Sequence, residues 1–314
     1  MSRFVIAILL ILFFIAKANA QESEDNSPTS SNQTLFETVE HHYADNDGVR
    51  IHYVTKGEGQ VVLFVHGFPD FWYTWRNQMN SLSNEYRVAA MDLRGYNRSD
   101  SPTGVDRYDY KELILDIVAV IQDTGVTSVC LVAHDWGAGI AWQVAAKYPD
   151  LVEKLVILSI SHPKAGNKKP PVSTGEKQPS YADYFVSEKF RNQLTENWFS
   201  GWVKDQSAKE RYKEAFRRSD PEAMINYYRA NFPTLENLND PVYVNRSREL
   251  PNLKMPVLII HGKNDPYALT PSHNNTWDYV DNDLRIEILN NSGHFIQQDE
   301  SEKVTALIEN FLSR

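Results

Sequence analysis

The sequence has a single cysteine, Cys130, among 314 residues, so no intrachain disulfide can form. It stands in an apolar run, where a thiol packs as a small hydrophobe. Basic clusters are also missing. The formal charge is −9, which excludes nucleic acid and anionic lipid surfaces as expected partners. Beyond residue 16 no stretch is apolar enough to cross a bilayer. His41-His42 has no further ligand at metal-binding spacing, so no metal is expected. There is no internal repeat and no cofactor motif. Aromatic residues are plentiful, with 7 Trp, 16 Tyr and 14 Phe, enough for a core and an apolar pocket together.

The first twenty residues read as an export signal. Arg3 precedes an apolar run at 4–16, and Ala18-Asn19-Ala20 supplies a small-residue cleavage site. Lys17 is unusual after such a run and leaves an uncleaved anchor as the alternative. Removing residues 1–20 deletes two cations, Arg3 and Lys17, and no acid, which takes the charge from −9 to −11. The expected location is secreted or periplasmic, with no stable membrane association after cleavage. Residues 21–34 are polar and read as a flexible leader. Asn-x-Ser/Thr sequons occur at Asn32, Asn97, Asn245, Asn274 and Asn290. Nothing in the sequence signals an oligomeric state.

From residue 36 the pattern is strand-like. Runs at 38–44 and 49–54 flank Asp47-Gly48, a hairpin signal. Residues 61–65 are wholly apolar, as in a central parallel strand. A helix is expected at 75–82, a strand at 88–91, a helix at 110–123, a strand at 129–133, a helix through 146 and a strand at 155–158. This alternation predicts an α/β fold, a mostly parallel sheet with helices on both faces. It breaks near Ser161. Residues 180–249 read as helices, one starting where Asp220 precedes Pro221. Strands resume at 257–260 and 284–289, with a final helix at 304–312. The expected organisation is a core of 35–163 and 250–314 split by a helical cap at 164–249.

One turn carries the chemistry. Ala133-His134-Asp135-Trp136-Gly137 follows the apolar run Val129-Cys130-Leu131-Val132. It has the form small-x-nucleophile-x-small, where strand and helix must pack closely. The central residue of such turns is usually Ser; here it is Asp135. A carboxylate is already ionised at neutral pH and can displace a leaving group at saturated carbon, leaving an enzyme ester for water to cleave. In α/β-hydrolases the partners follow in the order nucleophile, acid, histidine. Asp265, in Gly262-Lys263-Asn264-Asp265, and His294, in Ser292-Gly293-His294, each come just after a strand. Ser159-Ile160-Ser161-His162 offers no carboxylate, and Asp281 and Asp283 precede the wrong strand end. His294 is expected to activate water, with Asp265 orienting its ring. Backbone N–H groups of Phe68 and Trp136 are expected to form the oxyanion hole.

His66-Gly67-Phe68-Pro69-Asp70-Phe71-Trp72-Tyr73-Thr74-Trp75-Arg76, Asp92-Leu93-Arg94-Gly95-Tyr96 and His134-Asp135-Trp136-Gly137-Ala138 together make the chain resemble the epoxide hydrolase branch of the α/β-hydrolase superfamily, over residues 36–314. It departs at Asn97, where that branch usually has Gly. The resemblance implies cofactor-free conversion of an apolar epoxide to a vicinal diol. It also implies two cap tyrosines that protonate the epoxide oxygen. Tyr228 carries over for one. Tyr181 is favoured for the other, with Tyr184 as the alternative on its face. A phenol, with pKa about 10, stays protonated at neutral pH and suits a nascent alkoxide. Trp72, Pro69, Tyr184 and His162 are candidate pocket residues. Two rivals remain: a haloalkane dehalogenase, in which Trp72 or Trp75 would bind halide, and a secreted ligand-binding protein of the same fold without turnover.

Overall fold

The computed structural model describes residues 35–166, 181–232 and 250–314. The expected signal at 1–20, the leader at 21–34, and the stretches 167–180 and 233–249 of the expected cap lie outside the described residues.

The chain enters through one helical turn at 35–38, which corrects the strand expected to begin at Thr38. The backbone N–H of Val39 and the hydroxyl of Thr38 both donate to Leu35 O, and Leu35 is fully buried. These bonds close a turn where alternation alone suggested an extended chain. β1 (Glu40–Asn46) and β2 (Val49–Lys56) then form the predicted antiparallel hairpin. Asp47 and Gly48 both have positive φ, as a tight two-residue hairpin turn requires.

The α/β rhythm follows. β3 (Val61–Val65) is buried at every position. A short 3₁₀ turn, Trp72–Trp75, leads into α1 (Arg76–Leu82), so the helix expected from 75 starts one residue later. β4 (Arg87–Met91) precedes α2 (Tyr110–Asp123), whose Asp109 cap accepts from the N–H groups of Lys111 and Glu112. β5 (Val129–His134), α3 (Trp136–Lys147) and β6 (Val152–Leu158) come next.

Between β6 and β7 the described chain is helical. α4 (Tyr181–Phe185), α5 (Glu188–Arg191), α6 (Glu196–Gly201), α7 (Gln206–Arg218) and α8 (Pro221–Asn231) follow one another. Ser187, Thr195, Asp205 and Asp220 cap α5 to α8 with side-chain oxygens. β7 (Val257–Gly262) and β8 (Leu284–Leu289) resume the sheet, and α9 (Ile296–Asp299) and α10 (Ser301–Leu312) finish the chain.

The eight strands lie in the order β1-β2-β4-β3-β5-β6-β7-β8. β1, β2 and β4 pair antiparallel, and every pairing from β4 through β8 is parallel. From β3 the chain steps to β4 on one side and then returns to β5 on the other. That reversal opens a crevice at the carboxyl ends of β3 and β5, where sheets of this kind hold ligands. The loop after β3 carries Phe68 and the turn after β5 carries Asp135.

Candidate active site

Asp135 has φ 50° and ψ −119°, a conformation that a non-glycine residue holds only when its surroundings enforce it. The enforcement comes from close packing. A Cβ on Gly137 would run into the carbonyl oxygens of Val65 and His66, and one on Gly67 would run into the Asp135 side chain. The small residues around the elbow are therefore a steric requirement of strand, loop and helix meeting at one point.

The Asp135 carboxylate is held from two directions. Oδ1 accepts from the backbone N–H of Phe68 at 2.7 Å. Oδ2 lies 3.3 Å from His294 Nε2. Trp136, the first residue of α3, presents its N–H at the same helix start. Burial works against ionisation, but the His294 bond and charge and the Phe68 N–H outweigh it and hold Asp135 below the usual carboxylate range. Its side chain remains 17% exposed, so one edge is open to a small molecule.

On the far side of the imidazole, His294 Nδ1 meets Asp265 Oδ2 at 2.8 Å. Asp265 Oδ1 accepts from the N–H groups of Tyr267 and Ala268 at 2.8 and 3.1 Å, which fixes the carboxylate plane. Despite its burial, Asp265 is held below the ordinary range, chiefly by His294. Burial disfavours a charged His294, yet Asp265 and then Asp135 overcome it and push the imidazole up to about 10. Two carboxylates flank the ring, and both favour its protonated form. The two loops that carry it approach closely: a Cβ on Gly262 would strike Gly293 O.

Other polar groups support this arrangement. His294 O accepts from Ser159 Oγ at 2.8 Å and from His134 Nε2 at 2.8 Å. His134 is pushed down to about 3, by burial first and the neighbouring His294 charge second; it is a neutral donor. His66 bridges Gly67 O and the N–H of Leu93, which ties down the loop presenting Phe68. Ser159 is the member that sequence reasoning misses, since one serine after a strand carries no distinguishing signal.

The cap contributes an aromatic roof. The ring of Tyr228 stands edge-on to Trp136 and to Phe68, with centroids 5.1 and 5.7 Å away. Its neighbour Tyr227 points elsewhere and donates to Arg94 O at 2.9 Å. The two diverge as consecutive helical side chains must. Tyr181 opens α4, but its side chain lies outside the described residues. Tyr184 donates its hydroxyl to Gln193 Oε1 at 2.9 Å. Among the described side chains of α4, Phe185 meets Phe68 and Tyr228, at 5.7 and 4.8 Å. Tyr267 adds an edge contact to His294 at 4.9 Å.

Two candidate pocket residues are corrected. Trp72 is only 1% exposed, covered by Phe36, Phe71 and Tyr73, so no face of its indole is free for a ligand. His162 is also 1% exposed, stacked on Tyr279 and edge-on to Trp142. Each satisfies a core rather than a pocket. Pro69 is buried and follows Phe68 through a cis peptide bond. Among the described residues no group of three or more His, Cys, Asp or Glu is placed to hold a metal ion, and no helix is long and apolar enough to cross a membrane.

Residues 60–301 match the family described as alpha/beta hydrolase fold. The chain is 31% identical to mouse epoxide hydrolase 4 over 332 residues, which covers 97% of this chain and 89% of the mouse protein. Epoxide hydrolase 2 of Caenorhabditis elegans is 30% identical over 297 residues, covering 87% and 80% of the two chains. Among solved structures, a Bacillus megaterium epoxide hydrolase in complex with an inhibitor superposes with TM-score 0.75 at 31% identity, over 87% of this chain and all of that one. An epoxide hydrolase from Vigna radiata superposes with TM-score 0.73 at 28% identity, over 88% and 99%.

Proposed function

The chain belongs to the α/β-hydrolase fold family, in its epoxide hydrolase branch, and from that premise we propose that it opens an apolar epoxide through a covalent ester on Asp135 and releases the vicinal diol. The observation that carries this reading is the pair of distances at one carboxylate. Oδ1 is held by Phe68 N–H at 2.7 Å and Oδ2 faces His294 at 3.3 Å. One oxygen is anchored by a backbone donor, and the other faces the imidazole.

In the first step Oδ2 attacks an epoxide carbon and that C–O bond breaks. Tyr228 gives its phenolic proton to the departing oxygen, with Tyr181 as second donor. The ester is neutral, so His294 loses one of the two charges that keep it protonated. Its proton replaces the one Tyr228 supplied, which leaves phenol and neutral imidazole. In the second step His294 takes a proton from water, and the hydroxide attacks the ester carbon. The oxyanion forms at Oδ1, against the N–H groups of Phe68 and Trp136. Collapse expels the alkoxide, which takes the proton from His294. The carboxylic acid then returns its proton to the imidazole, and the starting charges are restored.

The aromatic surroundings favour an apolar substrate. A halide-releasing reaction has less support, because the indoles of Trp72 and Trp75 are sealed in the core at 1% and 0% exposure. Export is part of the proposal and rests on Arg3, residues 4–16 and Ala18-Asn19-Ala20; N-terminal sequencing of the protein from an expressing host should find Gln21 first. The activity is tested by diol release from aryl and fatty-acyl epoxides, beside halide release from haloalkanes, with Asp135→Ala as control. Diol formation abolished by the substitution is expected. Halide release without diol would overturn the reading.

A further inference from the structure

Asn97 has φ 45°, in the left-handed region that favours glycine. Both ends of its amide are engaged and the residue is 4% exposed. Nδ2 donates to Asp92 Oδ2 at 2.8 Å, and Oδ1 accepts from Arg218 Nε at 2.9 Å. The backbone N–H donates to Ser219 Oγ at 2.7 Å.

These bonds join two bodies. Asp92 is anchored in the core, where it also binds His52 Nδ1 at 2.6 Å and the N–H of Trp72 at 3.0 Å. Arg218 and Ser219 belong to the cap, at the end of α7, and Asp220 caps α8. The same stretch of core supports the base of α8 in three more ways. Asp220 N–H donates to Gly95 O at 2.9 Å. Gly95 lets Ala223 come so close that a Cβ would lie 2.5 Å from it. Tyr227 donates to Arg94 O at 2.9 Å.

We propose that Asn97 is a positioning residue, which clamps the base of α8 to Asp92 and so aims Tyr228 at the carboxylate of Asp135. The inference rests on Tyr228 being a proton donor. Tyr228 lies eight residues beyond Asp220, about 12 Å along a helix. A tilt of about 5° at the base displaces its ring by about 1 Å, enough to cost a reaction about 10²-fold. The Asp220–Gly95 and Tyr227–Arg94 bonds hold α8 to the core along one line; the Asn97 side chain adds a bond that joins Asp92 to the junction of α7 and α8.

Asn97→Gly separates the clamp from the backbone. Glycine relaxes the positive φ, so the fold and melting temperature are expected to be kept while both side-chain bonds are lost. Rapid-mixing measurement of ester formation should show opening slowed by about tenfold, with KM changed less than kcat. In a Tyr228→Phe background the same substitution should add little, because the donor it aims is already gone; a merely structural effect would slow both backgrounds alike. Arg218→Met, at an exposed cap position, removes only the cap-side bond and should give a smaller slowing of the same kind. Opening at the wild-type rate in Asn97→Gly, or equal slowing in both backgrounds, would overturn the clamp. If Tyr228→Phe itself opens epoxide at the wild-type rate, the proton-donor reading fails and the clamp with it.

Discussion

His294 Nε2 lies 3.3 Å from Asp135 Oδ2, so the proposed nucleophile is also a charge partner of the proposed base. In the proposed mechanism, forming the ester removes that charge and frees the imidazole to act as base when water must be activated, which would separate the two steps in time.

This arrangement has a pH signature in stability. His294 is raised from 6.5 to about 10 in the folded protein. Between those values the folded protein keeps a proton that the unfolded chain has released, so this group's contribution is full below about pH 6.5 and is lost as pH rises towards 10. Asp135 and Asp265 are held below 3.8, and their contribution is present above that value and lost as pH falls through their lowered pKa. Denaturant unfolding of wild type and His294→Gln at pH 7 and pH 10 checks this. Wild type should lose more stability over the interval, and parallel behaviour would remove the charged triad from the account.

Gly67 is a steric element of the loop proposed to form the oxyanion hole. Alanine there would place a methyl group on the Asp135 carboxylate and push the Phe68 N–H off its oxygen. Loss of one such donor costs about 10²–10³ in kcat. Gly48 is a control: its φ is positive, unlike that of Gly67, but a Cβ there meets nothing within 4 Å. Gly48→Ala should lose about 1 kcal/mol of stability and no turnover. Steady-state rates on one epoxide for both variants decide it; equal activity in the two would discount the role of the loop.

Asp70 and Tyr212 connect that loop to the cap. Tyr212 donates to Asp70 Oδ1 at 2.6 Å and accepts from Gln298 Nε2 at 2.9 Å. Burial pushes Asp70 up to about 7, against the opposing pull of Tyr212. Burying this carboxyl therefore costs stability as pH rises from about 3.8 to 7, where the unfolded chain ionises first. Tyr212→Phe removes a donor to the ionised form. It should destabilise by about 1–3 kcal/mol at pH 8 and by less at pH 5, where Asp70 is protonated. A pH-independent loss would assign Tyr212 to packing alone.

Much of this site is legible in the sequence because it depends on local spacing. The elbow around Asp135 needs strand, turn and helix in succession, and Asp265 and His294 each come just after a strand. The cap of α8 is visible in Asp220-Pro221 for the same reason. Contacts that bridge distant segments leave no such trace. Nothing near Phe185 says that it, rather than Tyr184, meets Phe68, and nothing near Ser159 says that it holds His294 O. Trp72 and His162 have the residue types of a pocket, but enclosure by other rings decides their place. Thr38 shows the limit of alternation, since one turn closed by Leu35 O replaces the expected strand.

The central claim is the covalent ester on Asp135. One turnover with enzyme in excess, in water enriched in ¹⁸O, tests it most directly. Hydroxide attacks the ester carbon, so the heavy oxygen should stay in the Asp135 peptide, and the first diol released should carry none of it. Heavy oxygen in the diol from that first turnover, with the Asp135 peptide unlabelled, would mean that water opens the ring itself.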